Sequence, residues 1–230
     1  MSYNSNPVLI DEKVVAQAKQ LGSALLADGM KGMGLEMDGC MEASIMPIGP
    51  HMSMAGTALT VETDQGDNFP IHVATYSGAE GYVMVIDGKG CAHTPYFGEL
   101  VSGAAQAIGY NGMVCDGYVR DRESCIEQKF PIFAKGFLQR GPVKKGPGNI
   151  NIPVRCGGIT VNPGDLVVGD DDGITVVPRD RIAEVIKNAE NKADYEAKRK
   201  ETIQAYIEAK KEGKELPELA PKWVLDMLQK

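Results

Sequence analysis

The sequence predicts an α/β protein. Three observations carry that reading: apolar runs of strand length alternate with helix-like segments between residues 57 and 116, short strands separated by turn residues follow from Pro131, and a Lys/Glu/Ala-rich helix closes the pattern after Pro178. With 230 residues, 43 % of them apolar, the chain can bury a core as one large domain or two small ones.

Residues 11–27 carry Val14, Val15, Ala18, Leu21, Leu25 and Leu26 on one stripe behind an acidic first turn, which predicts an opening helix. Strands are expected at 57–63, 81–87 and 112–116, with helices at 70–78 and 98–108 between them. The later strands are expected at 132–134, 150–154, 159–161, 166–169 and 174–177. Asn162-Pro163-Gly164-Asp165 and Asp170-Asp171-Asp172-Gly173 supply turns among them, so a β-rich half should pack beside the α/β half. Ile182, Val185, Ile186 and Ala189 give the last long helix an apolar stripe only at its start; the remainder should project and meet a neighbouring subunit. The expected division is a core of residues 1–178 and a helical extension of residues 179–230.

Composition narrows the function classes. A net charge of −7 and a pI near 5.1 repel phosphate backbones and argue against nucleic acid as a partner. No uninterrupted apolar stretch reaches about eighteen residues, and residues 1–10 lack a basic start with an apolar run, so no membrane partner and a cytoplasmic location are expected. Five cysteines without a C-x-x-C pair read as buried free thiols. The histidines, His51, His72 and His93, lack zinc-site spacing and read as structural. The segment from Gly88 to Thr94 lacks the spacing of a phosphate loop, Asp170 to Gly173 lacks calcium-loop spacing, and no G-x-S-x-G elbow occurs.

One constellation points to chemistry. Gly98-Glu99-Leu100-Val101 opens a helix whose free N–H groups, those of Leu100 and Val101, suit a carboxylate. Gly117-Tyr118-Val119-Arg120-Asp121 leaves the next strand as a loop, bringing a guanidinium fork and a hard oxygen ligand of the kind magnesium or manganese accepts. Alone, the same residues also describe a capped helix and a surface ion pair.

The run from Gly109 to Asp121, preceded by Gly98-Glu99-Leu100, resembles the signature of the RraA-like family. The similarity continues through Phe133-Ala134-Lys135-Gly136, Pro153-Val154-Arg155-Cys156-Gly157-Gly158, and Pro163-Gly164-Asp165 to Gly173, spanning about residues 10–205. The resemblance implies a swivelling β/β/α fold assembled as a homotrimer or homohexamer. It also implies a lyase that cleaves a 4-hydroxy-2-oxo acid, of the 4-hydroxy-4-methyl-2-oxoglutarate type, to pyruvate and a second oxo acid, and that decarboxylates oxaloacetate.

By position, the resemblance makes Asp121 the ligand of Mg²⁺ or Mn²⁺, Arg120 the group that binds the 2-oxo acid and steadies enolate charge, and Glu99 the holder of a water for proton transfer. It sets Asn68 and Lys144 beside the substrate, and makes Glu196 an acid lent to a neighbouring subunit's metal shell. A Schiff-base aldolase using Lys135 is the lesser alternative, because the repeated barrel units that usually host one are missing. The other alternative is a non-catalytic regulator of ribonuclease activity acting through protein contacts.

Overall fold

The structure, a computed structural model, describes residues 2–35 and 39–229. It forms two compact units, Met1–Ala189 and Glu190–Lys230.

The first unit opens with α1 (Glu12–Met30) and a short strand β1 (Met46–Pro47). Then β2 (Met54–Thr63), α2 (Phe69–Ser77), β3 (Tyr82–Pro95), α3 (Glu99–Ile108), β4 (Gly112–Val119), α4 (Arg122–Glu127) and β5 (Ile132–Phe137) follow as alternating strands and helices. Strands β2 to β5 are parallel neighbours. Their segments 57–61, 82–86 and 112–115 are buried throughout, which is why they read as continuous apolar runs rather than as alternating ones.

The second half of the unit contains β6 (Gly148–Ile150), β7 (Val154–Cys156), β8 (Ile159–Val161), β9 (Leu166–Asp170) and β10 (Gly173–Val177). These strands do not form a separate β-rich half: β9 pairs antiparallel with β2, and the sheet runs β1-β5-β4-β3-β2-β9-β10, with β6 also on β2. Apolar pattern marks a strand but not its partner, so this continuity was hidden. Among the described residues, only β7 and β8 stand apart as a two-stranded hairpin.

Three apolar layers result. Leu59, Val61, Met84, Ile86, Met113 and Cys115 meet α2 and α3 on one face. Val83, Val85, Val114 and Phe133 meet the β7–β8 hairpin on the other. Beyond the β2 edge, Ala18, Leu26 and Met30 of α1 pack with Leu166 and Val168 and with the start of α5 (Ile182–Glu212), through Ile182, Val185, Ile186 and Ala189. At roughly 1.5–3 kcal/mol for each large aliphatic chain removed from water, these layers hold the sheet in register.

Other departures from expectation have local causes. The run 150–154 is two strands because Asn151 turns the chain at φ 56 and donates its N–H to Thr60 O, 2.8 Å away. The segment Gly88–Thr94 is the continuation of β3. Strand β4 reaches Val119, so only Arg120 and Asp121 leave as loop. The six-residue α4 buries Cys125 alone, too little to leave a periodic trace. Asp170 pairs with Gly173 across a two-residue turn, as the turn chemistry suggests. The cysteines are free thiols, all buried except Cys40.

The second unit holds the rest of α5 and a further helix, α6 (Lys222–Leu228). None of its described residues is buried, and Tyr195, Ile203, Ile207, Trp223 and Met227 are exposed. Among the described residues, no helix is long and apolar enough to cross a membrane.

Candidate active site

A pocket of about 170 Å³ lies where the sheet delivers its carboxyl ends to the starts of α2 and α3, the usual crevice of an open α/β sheet. Its lining includes Asn68, Leu100, Val101, Arg120, Asp121 and Lys144. The structure therefore gathers six of the residues singled out from sequence.

Asn68 stands at the N-cap position of α2 without a side-chain capping bond. Its side chain is almost fully buried, and Oδ1 has no hydrogen-bond partner among the described residues. A buried acceptor left without a donor is costly, so this amide is a point of tension beside the pocket. Its neighbour Asp67 fixes the surroundings: Oδ1 accepts from Phe69 N at 2.8 Å, while Oδ2 accepts from Lys145 N at 2.8 Å and Gly146 N at 2.9 Å. Those bonds tie the loop that carries Lys144 to the start of α2.

The Arg120-Asp121 pair is pinned by its backbone. Arg120 N donates to Phe97 O at 2.9 Å, and Asp121 O accepts from Cys125 N at 2.9 Å. Asp121 adopts left-handed φ 58 and ψ 51, a conformation that Asp tolerates better than most residues. Its Oδ2 accepts from Glu99 N at 3.3 Å and lies 3.4 Å from Arg120 Nε. A Cβ at Gly98 would stand 2.2 Å from Asp121 Oδ2 and 2.7 Å from Arg120 Cγ, so glycine there is what lets the carboxylate reach the start of α3.

That contact alters the expected donors. Glu99 N–H is used by Asp121, and Val101 N–H points to Gly98 O at 3.2 Å. Of the two N–H groups expected to be free, only that of Leu100 lacks an acceptor among the described residues. Glu99 is exposed at the helix start, and its side chain does not line the pocket. Glu196 belongs to the second unit, where its carboxylate lies 4.0 Å from Lys192 Nζ.

His72, which the sequence presents as structural, lines the pocket one helical turn beyond Asn68. Burial first, and the Lys144 ammonium second, lower its pKa, so the ring is neutral at pH 7. The i, i+4 spacing of Asn68 and His72 was the available signal. Gly141 and Pro142 also line the pocket, and no sequence signal singled them out.

The donor set fits a hard divalent cation that retains much of its water. Asp121 offers one half-exposed carboxylate to the pocket, and among the described residues no three His, Cys, Asp or Glu side chains converge on an ion. Magnesium is commonly held through one or two carboxylates, with waters and ligand oxygens completing the shell.

Comparison with known proteins identifies the lineage. The family model for RraA-like proteins, described as Aldolase/RraA, matches residues 23–176, well over half of the chain. The chain belongs to the RraA-like family. A Halalkalibacterium halodurans protein provisionally named 4-hydroxy-4-methyl-2-oxoglutarate aldolase is 35 % identical over 201 residues, covering 84 % of this chain and 93 % of the relative. An uncharacterised protein from Pseudomonas syringae pv. tomato superposes with a TM-score of 0.71 at 27 % identity, over 91 % of this chain and 97 % of that one. The RNA-processing inhibitor RraA from Thermus thermophilus gives 0.57 at 26 % identity, over 60 % and 84 %. Family membership thus includes both an aldolase lineage and a regulator lineage.

Proposed function

We propose that this chain is a divalent-metal-dependent lyase that cleaves a 4-hydroxy-2-oxo acid, of the 4-hydroxy-4-methyl-2-oxoglutarate type, into pyruvate and a second oxo acid, and that it also decarboxylates oxaloacetate. The observation that carries this reading is the meeting, in one pocket, of the Asp121 carboxylate, the Arg120 side chain and the unpaired Leu100 N–H. The relative named as an aldolase supports the same reaction class.

Mg²⁺ or Mn²⁺ held at Asp121 would polarise the keto group of a chelating 2-oxo acid. The Leu100 N–H donates to the substrate carboxylate at a positive helix end. Arg120 sets its guanidinium where negative charge gathers as the C3–C4 bond breaks, so its interaction strengthens along the reaction. The C4 hydroxyl gives up its proton to a water beside Glu99, and C3 of the departing pyruvate takes one back. Asn68 and Lys144 hold the distal part of the substrate. In decarboxylation carbon dioxide leaves instead, and the same groups receive the same enolate charge.

The exposed apolar residues of the second unit support assembly as a homotrimer or homohexamer, with Glu196 serving a neighbouring subunit's site. Pyruvate release from 4-hydroxy-4-methyl-2-oxoglutarate and from oxaloacetate tests the activity, with added Mg²⁺ or Mn²⁺ and then with a chelator. Release that stops on chelation is expected; release that persists overturns the mechanism. No release under any condition, with capture of a ribonuclease, favours the regulator reading.

A further inference from the structure

Helix α3 brings no side-chain cap of its own, because Gly98 occupies the N-cap. Its first turn is held from outside at two points. One is Asp121 Oδ2, which accepts from Glu99 N. The other is Gln128, at the C-terminal end of α4: its Nε2 donates to Glu99 O at 2.9 Å, and its Oε1 accepts from Ser102 Oγ at 2.7 Å.

The surroundings are shaped for this amide. Ser102 is fully buried, and Gln106 Nε2 donates to Gln128 O at 3.1 Å. A Cβ on Gly103 would stand 3.2 Å from Gln128 Nε2, so the bare helix face lets the side chain lie across the turn. Beside the same serine, 3.9 Å from its Oγ, Cys125 Sγ donates to Arg120 O at 3.4 Å.

We propose that Gln128, acting with Ser102, is a positioning residue that locks the first turn of α3 to the loop bearing Arg120 and Asp121. A carboxylate that also serves as a metal ligand makes a poor sole tether, since each interaction competes for the same oxygens. The Gln128 amide is independent of that competition: it grips the carbonyl of Glu99 and the hydroxyl of Ser102 from behind, outside the pocket. Its effect is to keep the Leu100 N–H aimed while Asp121 is engaged elsewhere. Misplacement of a binding donor by about 1 Å can cost up to 10²-fold in rate, so a lost strut has kinetic consequences without any lost contact to substrate.

The inference rests on the proposed lyase reading for its kinetic arm but not for its structural arm. The test compares Gln128→Met, Ser102→Ala and the double variant with wild type. Amide hydrogen exchange across residues 98–102, the thermal midpoint, Mn²⁺ affinity, and kcat and KM for pyruvate release are measured on each. Faster exchange confined to that turn is expected in Gln128→Met, with a thermal midpoint close to wild type and a roughly tenfold lower kcat/KM. Ser102→Ala should show the same changes to a smaller degree, and the double variant should be no worse than Gln128→Met, because the two side chains act through one link.

Exchange at 98–102 unchanged in Gln128→Met overturns the proposal whether or not the enzyme turns over. Additive losses in the double variant overturn the pairing with Ser102. If wild type itself releases no pyruvate, the lyase reading fails, while exchange and Mn²⁺ affinity still decide whether the strut orders the turn. A uniform fall in thermal midpoint with faster exchange everywhere would mark Gln128 as a general stability residue and likewise overturn the proposal.

Discussion

Asp121 joins the backbone and the chemistry of the pocket. Its left-handed conformation and its hydrogen bond from Glu99 N depend on Gly98, where a Cβ would fall 2.2 Å from Oδ2. Gly98→Ala should therefore retain the fold and lose most turnover, because the carboxylate and Arg120 must both shift. A circular dichroism spectrum beside a pyruvate assay checks it; unaltered turnover would contradict the packing argument. His72 makes a second prediction at this scale. Its folded-state pKa lies below the unfolded value of 6.5, so between the two values the unfolded chain holds more protons and stability rises with pH. Acidification from about pH 7 to 5 should lower the thermal midpoint more in wild type than in His72→Asn. Equal slopes would sink the claim.

At the scale of elements, helix α1 shows how a remote side chain repairs a break. Gly22 leaves the helical conformation at φ 79, and Asp170 accepts from Ser23 N at 2.7 Å and Ser23 Oγ at 2.6 Å, restarting the helix as a cap would. Asp170→Ala should cost about 1–2 kcal/mol and lower the thermal midpoint by roughly 2–8 °C, leaving kcat unchanged. Thermal melts and saturating kinetics separate those effects; a loss of kcat would tie Asp170 to the pocket instead. The buried strands were legible because parallel strands covered on both faces show continuous apolar runs. Short or bent elements were not: α4 buries one residue, and the turn at Asn151 splits a run that composition presents as one strand. Of the site, Arg120 and Asp121 could be named from the sequence because the family motif carries them. The place of His72 in the pocket was legible only through its i, i+4 spacing from Asn68, a weak signal on a short apolar helix, and Val101 N–H proved occupied because hydrogen bonding within a first turn depends on the cap geometry.

For the whole molecule, the eight-stranded sheet gathers the candidate site at the carboxyl ends of its inner parallel strands, and the second unit leaves apolar side chains exposed. Light scattering on the purified protein should give the mass of a trimer or a hexamer; a monomer at micromolar concentration would contradict the proposed assembly. The central claim is the division of labour between the two adjacent residues of the β4 loop. Titrating Mn²⁺ into wild type, Asp121→Asn and Arg120→Ala while following pyruvate release tests it most directly. Asp121→Asn should lose more affinity than the roughly 10–100-fold expected for an outer-shell change, and Arg120→Ala should bind Mn²⁺ as wild type does while turning over roughly 100- to 1,000-fold more slowly. Wild-type Mn²⁺ affinity in Asp121→Asn, or wild-type turnover in Arg120→Ala, would contradict the account.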